Sequence, residues 1–224
     1  MLNLQKMDTA HLSQESLLSR HKVLRQTYML LGMNLLFSAI CAFIGVKMGG
    51  FGIPPWLMMV GMIGLSIGIQ MNRNSGVGIV LLFALTGLLG LFLSKTLALM
   101  FGFGMGNVVV KALAGTAILF FGLSAYVIVS GKNFSFLGGF LFVGSMILML
   151  AVLGMMLFGM TGGQVAISAA FLFLSSAYVL YDTSNIIHGE ETNYIVATLN
   201  LFINIFNMFV SLLNIIMAFN GNRE

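Results

Sequence analysis

The chain has 224 residues, of which 59% are hydrophobic and only 7% are charged, and its formal net charge is +4. Because soluble domains carry about 25% charged residues, a water-soluble fold could not cover its surface with so few charges. The single cysteine, Cys41, excludes an intramolecular disulfide, a Cys-rich zinc site and a cysteine-ligated iron–sulfur cluster.

The first 25 residues are polar and mixed in charge, and they include Arg20, Lys22 and Arg25. We predict that residues 1–25 form a cytoplasmic N-terminal tail and that residues 26–224 form a transmembrane domain. No small-residue cleavage pattern follows the first apolar run, so we expect the first span to be retained in the membrane.

The apolar runs are long and show no alternation of period two, which predicts helices and argues against a β-barrel. About 20 apolar residues are needed to cross the hydrocarbon core. Seven spans are expected, near residues 27–46, 54–71, 76–94, 107–129, 134–158, 164–187 and 194–219. The chain carries no charge between Lys132 and Asp182, and we expect it to turn back at residues 159–163. The predicted fold is therefore an all-α seven-helix membrane bundle.

Lysine and arginine in short loops predict the orientation, because they favour the cytoplasmic side. With the N-terminus inside, six basic residues lie inside and four lie at or beyond the outer interface. The inner set is Lys6, Arg20, Lys22, Arg25, Arg73 and Lys132, and the outer set is Lys47, Lys95, Lys111 and Arg223. We therefore expect a periplasmic C-terminus. The positive net charge follows from this topology and does not suggest a nucleic-acid partner.

Asp182 is the only acid within a predicted span. An ionised carboxylate inside the membrane is costly unless it is paired or hydrated, so such an acid is a candidate functional group. Asp182 could titrate or contact a cation. The alternative is a structural role, in which it caps or ties neighbouring helices.

The seventh span carries a polar stripe of five residues with helical spacing. The stripe consists of Asn200, Asn204, Asn207, Ser211 and Asn214. These side chains should face protein and not lipid. They could form interhelical hydrogen bonds, or they could form a polar pathway wall shared with Asp182.

Enzyme signatures have no support elsewhere in the chain. Residues 64–68 match a nucleophile-elbow pattern, but they fall inside a predicted helix and no histidine lies in any span to act as a base. The glycines at 102–106 follow no strand, so a phosphate loop is disfavoured. The histidines show no metal-ligand spacing. We therefore expect no catalytic residues, no metal and no cofactor.

Several motifs resemble those of the Bax-inhibitor/YccA family, and most closely its bacterial YccA-type branch. They are residues 17–28 (LLSRHKVLRQTY), 112–117 (ALAGTA), 134–139 (FSFLGG), 182–189 (DTSNIIHG) and 191–195 (ETNYI). The resemblance covers essentially the whole chain. It implies a seven-helix fold with a central seventh helix in the bacterial inner membrane.

The resemblance also implies two activities. Some members are described as pH-sensitive calcium leaks governed by a pair of membrane aspartates, whereas YccA-type members are described as binding and restraining the AAA protease FtsH. Asp182 matches the first aspartate of that pair, but the second position falls on Asn204, which cannot ionise and cannot share a proton. A basic residue of leak-type members aligns with Asn72, beside Arg73.

These differences favour a protease modulator that engages FtsH through its N-terminal tail. A calcium, cation or proton pathway centred on Asp182, with Asn200, Asn204, Asn207 and Arg73 as further candidates, is the alternative.

Overall fold

The computed structural model describes the backbone of residues 2–158 and 163–221, and side chains from His21 onward apart from those of residues 55, 156 and 221. This part of the chain forms seven α-helices and no strand. They are α1 (Leu2–Lys47), α2 (Pro55–Met71), α3 (Gly76–Gly102), α4 (Gly106–Ser130), α5 (Leu137–Phe158), α6 (Gln164–His188) and α7 (Tyr194–Gly221). Residues 159–162, which include most of the turn expected between α5 and α6, lie outside the described residues.

Six of these helices are long and apolar enough to cross a membrane. The exception is α2, which has 17 residues and is about 25 Å long at 1.5 Å per residue. This length lies at the lower end of what a bilayer requires. The predicted all-α membrane bundle is confirmed, with α2 as its shortest member.

Two helices extend beyond the predicted spans. The first helix begins at Leu2, so the polar tail continues the first span as one helix. The third helix ends at Gly102 and not near residue 94, because Lys95 does not interrupt it. The residues after Lys95 remain apolar, and Leu97 and Met100 are buried in a hydrophobic cluster that stabilises the added turns.

Close packing of α1 against α3 depends on glycine. A Cβ atom on Gly90 would collide with the carbonyl oxygen of Ser38, and one on Gly87 would lie 2.9 Å from the ring of Phe37. Small residues permit such close approach of membrane helices. In α2, by contrast, a Cβ atom on Gly64 would meet no atom within 4 Å, so no close helix contact depends on this glycine.

Helix α7 is the centre of the bundle, as the family resemblance implies. It packs against α1, α4 and α6, with smaller contacts to α2 and α3. In the α7 span 44% of the residues in the most apolar window are buried inside the protein, against 6% for α5. Side chains placed on α7 therefore face protein on most sides, whereas α5 packs at the periphery on α6.

Candidate functional site

Asp182 and Asn204 form a direct contact inside the bundle. Asn204 Nδ2 donates a hydrogen bond of 2.8 Å to Asp182 Oδ2. Both residues are buried, with 8% and 7% of their surfaces exposed. The contact joins α6 to α7, which are antiparallel neighbours connected by a short loop at residues 189–193. The Asp182 carboxyl group thus has an amide partner. The family resemblance associates this partner position with a second aspartate in leak-type members.

A polar seam extends from this contact along the α6–α7 interface. On α6, Ser168 and Ser175 precede Asp182 at seven-residue intervals, which places all three on one face of the helix. Ser175 lies seven residues before Asp182 on α6, and Ser211 lies seven residues after Asn204 on α7. Because the two helices are antiparallel, the two serines lie at the same level of the bundle. Both are buried. The stripe predicted on α7 therefore faces a matching stripe on α6.

A cavity of about 500 Å³ lies at the far end of this seam, between α5, α6 and α7. Its polar lining comes from Gln164, Ser168 and Asn214. Fourteen residues separate Ser168 from Asp182, so the seam covers about 21 Å along α6, most of the thickness of a hydrocarbon core.

Other residues predicted for the site are not brought to Asp182. Asn200 and Asn207 are half-buried, and neither makes a side-chain hydrogen bond within the described part of the chain. Arg73 is exposed in the turn between α2 and α3, where its carbonyl oxygen accepts a hydrogen bond from Asn193. In the described structure, the only side-chain hydrogen bond to the Asp182 carboxyl group comes from Asn204.

A cluster of buried hydroxyl groups was not predicted. The hydroxyl of Tyr28 on α1 lies close to those of Ser124 on α4 and Thr183 on α6. None of the three has a hydrogen-bond partner within the described residues. Thr183 follows Asp182 directly, so the cluster adjoins the carboxylate site. The sequence does show that Thr183, the residue after Asp182, is polar. Residue spacing along one helix could not predict its partners Tyr28 on α1 and Ser124 on α4.

The loop between α4 and α5 is attached to the end of α6. The backbone N–H of Phe134 donates to Ser184 Oγ at 2.8 Å. His188 Nδ1 lies 2.9 Å from the carbonyl oxygen of Ser184, and its Nε2 lies 3.2 Å from that of Gly131. These contacts hold the end of α6 that carries Asp182.

The turn between α2 and α3 is attached to the start of α7. Asn193 Nδ2 donates to the carbonyl oxygen of Arg73 at 2.8 Å and to Asn74 Oδ1 at 2.9 Å. Asn193 Oδ1 also accepts from the backbone N–H groups of Ile195 and Val196, which caps α7. Three connections therefore meet at one end of the bundle, where the sequence predicts the cytoplasmic side.

Metal binding would rest on few ligands. No group of three His, Cys, Asp or Glu side chains in the described residues could hold a metal ion. A calcium ion prefers six to eight oxygen ligands. The contact shown at Asp182 offers one carboxylate and the Asn204 amide.

Six long apolar helices and one shorter helix, with a buried carboxylate–amide contact between two of them, define a multi-pass all-α membrane protein. The chain belongs to the Bax-inhibitor family, since the family model described as "Inhibitor of apoptosis-promoting Bax1" matches residues 20–221.

Bacterial relatives are similar in sequence to this chain over most of their length. "Modulator of FtsH protease YccA" of Escherichia coli K12 is 44% identical over 85% of this chain and 87% of its own. The same identity is found with "Inner membrane protein YccA" of E. coli O6:H1. An uncharacterized membrane protein of Vibrio cholerae is 40% identical over 96% of this chain and 98% of its own. The predicted resemblance is confirmed.

Proposed function

We propose that this protein is a non-enzymatic modulator of an FtsH-type AAA protease in the bacterial inner membrane. The observation that carries the proposal is the 44% identity, over 85% of the chain, to a relative named as a modulator of FtsH protease. The Asp182–Asn204 contact also supports it, because an amide replaces the second carboxylate that the resemblance associates with calcium leaks.

The N-terminal segment supports a mode of engagement. Helix α1 begins at Leu2, well before the apolar run predicted to form the first span near residues 27–46. Thr198 Oγ1 in the first turns of α7 lies 3.3 Å from the carbonyl oxygen of Thr27, so α1 leaves the bundle at the end where the α6–α7 loop lies. Lys22 and Arg25 are exposed there, while the side chain of Arg20 lies outside those described. We propose that this end is cytoplasmic and that residues 1–25 contact the protease.

Deleting residues 2–19 tests this mechanism. The deletion removes Lys6 but leaves Arg20, Lys22 and Arg25 in place, so the three basic residues nearest the first span are kept. We expect the shortened protein to lose co-purification with FtsH and to become resistant to FtsH-dependent turnover. Unchanged co-purification and turnover would refute engagement through the tail. A variant with residues 2–19 intact and Asp182→Asn is the matched control, and it should still co-purify.

A cation or proton pathway is the second candidate, and the polar seam between α6 and α7 favours it. The seam combines the Asp182–Asn204 contact with buried serines and a polar cavity at its far end. An acid within a membrane helix is by default a candidate for such a pathway.

Flux of calcium and protons into liposomes containing the purified protein discriminates the two functions. A flux that disappears in Asp182→Asn supports the pathway, and no flux across roughly pH 5 to 8 excludes it. Thr86→Ala is the control, because Thr86 hydrogen-bonds to Asn34 at 3.0 Å between α3 and α1 and not at the α6–α7 interface.

A further inference from the structure

An apolar groove lies on the side of the bundle away from the α6–α7 seam. It is formed by α1, α3, α4 and α7 and encloses about 930 Å³. Its walls include aromatic side chains such as Phe120, Phe202 and Phe209. This volume is at the upper end of the range found for small-molecule pockets.

The groove has the length of one membrane leaflet. On α1 its lining runs from Leu35 to Lys47, a separation of twelve residues or about 18 Å of helix. On α4 it runs from Val109 to Phe121, again twelve residues. A leaflet contributes about 15 Å to the hydrocarbon core. The groove thus begins at the interface where α1 ends and reaches the middle of the membrane.

The wall offers almost no hydrogen-bonding groups to an occupant. Thr116 Oγ1 already donates to the carbonyl oxygen of Ala112 at 2.8 Å, so its proton is used within α4. The other polar lining residues are Ser38, which is buried at the α1–α3 contact, and Lys47 at the mouth. Only a hydrocarbon chain matches such a surface without leaving its own polar groups unsatisfied.

The mouth of the groove carries a positive charge. Lys47 is exposed, and its Nζ lies 5.5 Å from the ring centroid of Phe43, which also lines the groove. No Asp or Glu occurs between residues 16 and 181 or within α7, so the four helices of the groove supply no acid to neutralise Lys47 in the span region. A ligand with an apolar chain and an anionic head would match both features.

We propose that this groove is a binding site for an anionic phospholipid, with an acyl chain along α1 and α4 and the phosphate at Lys47. The length of the groove and its apolar wall select an acyl chain and not a polar metabolite, and the lysine at the interface selects an anionic head group. A lysine near an anionic lipid surface contributes about 1 kcal/mol, which corresponds to about a fivefold change in binding.

Native mass spectrometry of the full-length protein in mild detergent tests the proposal. The protein is titrated separately with palmitoyl-oleoyl phosphatidylglycerol and with the zwitterionic phosphatidylethanolamine. We expect phosphatidylglycerol to bind more tightly, and Lys47→Gln to weaken its binding about fivefold. Lys111→Gln is the matched control: it removes the same charge near the same end of the bundle, but Lys111 does not line the groove.

Ala39→Trp provides an independent test of the acyl-chain site. Ala39 lines the groove and is exposed, so a larger side chain fills the groove without disturbing the packed core. We expect this variant to lose binding of both lipids. Equal affinity of the wild-type protein for the two lipids, equal effects of Lys47→Gln and Lys111→Gln, or unchanged binding in Ala39→Trp would each overturn the proposal. A lipid-free dimer that Ala39→Trp dissociates would also overturn it, because a second copy would then cover the groove.

Discussion

The Asp182–Asn204 contact can be tested by a double-mutant cycle. Asp182→Ala removes the acceptor, Asn204→Ala removes the donor, and the double variant removes both. Because each single change also leaves a cavity, only the interaction free energy from the complete cycle reports the contact itself. The contact spans 2.8 Å between two buried side chains on adjacent helices.

The expected interaction free energy follows from the usual strength of hydrogen bonds between membrane helices. Side-chain hydrogen bonds between membrane helices contribute on average about 0.6 kcal/mol and at most about 1.7 kcal/mol. A hydrogen bond to an ionised acceptor is roughly twice as strong as one between neutral groups. An ionised carboxylate would therefore give a coupling of about 1 to 1.5 kcal/mol between Asp182 and Asn204.

A neutral contact elsewhere in the bundle provides the control. Thr86 Oγ1 donates to Asn34 Oδ1 at 3.0 Å between α3 and α1, and both residues have no exposed surface. Its coupling should be about 0.6 kcal/mol and should not change with pH. A neutral carboxyl group would give a coupling near this value, because the hydrogen bond would then join two uncharged groups.

The assay is reversible unfolding of the purified protein in mixed micelles with increasing sodium dodecyl sulfate. A coupling below about 0.3 kcal/mol, which is within the error of additivity for independent sites, would show that the two side chains do not interact. A coupling equal to that of Asn34 and Thr86 would indicate a neutral Asp182 carboxyl group, and a clearly larger coupling would indicate an ionised one.

Two further predictions concern the packing of the bundle and its loops. Gly90→Val should destabilise the protein by about 1 to 3 kcal/mol in the same assay, because the new side chain collides with Ser38, whereas Gly64→Val should have a much smaller effect. Asn193→Ala should destabilise the start of α7 by about 1 kcal/mol, since it removes the helix cap together with the contact to Arg73. Faster amide exchange at the start of α7, with unchanged exchange at its centre, would verify the second effect.

The helices could be predicted from the sequence because the lipid bilayer restricts which backbone structures can cross it. In lipid the backbone must satisfy its own hydrogen bonds, so each apolar run of sufficient length forms a helix. The same rule gives no position for a helix end outside the hydrocarbon core. For this reason the boundary after Lys95 was wrong: the packing of Leu97 and Met100, and not hydropathy, extends α3 to Gly102.

The site was only half predicted. The stripe on α7 was visible because asparagine is rare among apolar residues, and Asn204 does contact Asp182. The stripe on α6 was missed, although Ser168 and Ser175 precede Asp182 at intervals of seven. Serine is common in membrane helices, so its spacing is a weak signal until a partner stripe is known. The hydroxyl cluster at Tyr28 depends on tertiary packing, which no periodicity reports.

The Asp182–Asn204 contact between α6 and α7 bears on both candidate functions. A second carboxylate at Asn204 would create a pair that shares a proton and changes its charge with pH. An amide donates to Asp182 in either protonation state and makes no like-charge repulsion, so the helices can stay together when the acid ionises. Hydrogen bonds of Ser184, His188 and Asn193 also attach the connecting loops to α6 and to the start of α7 at this end of the bundle. A stable surface beside the N-terminal segment suits a protein that binds a protease better than one that opens a pathway.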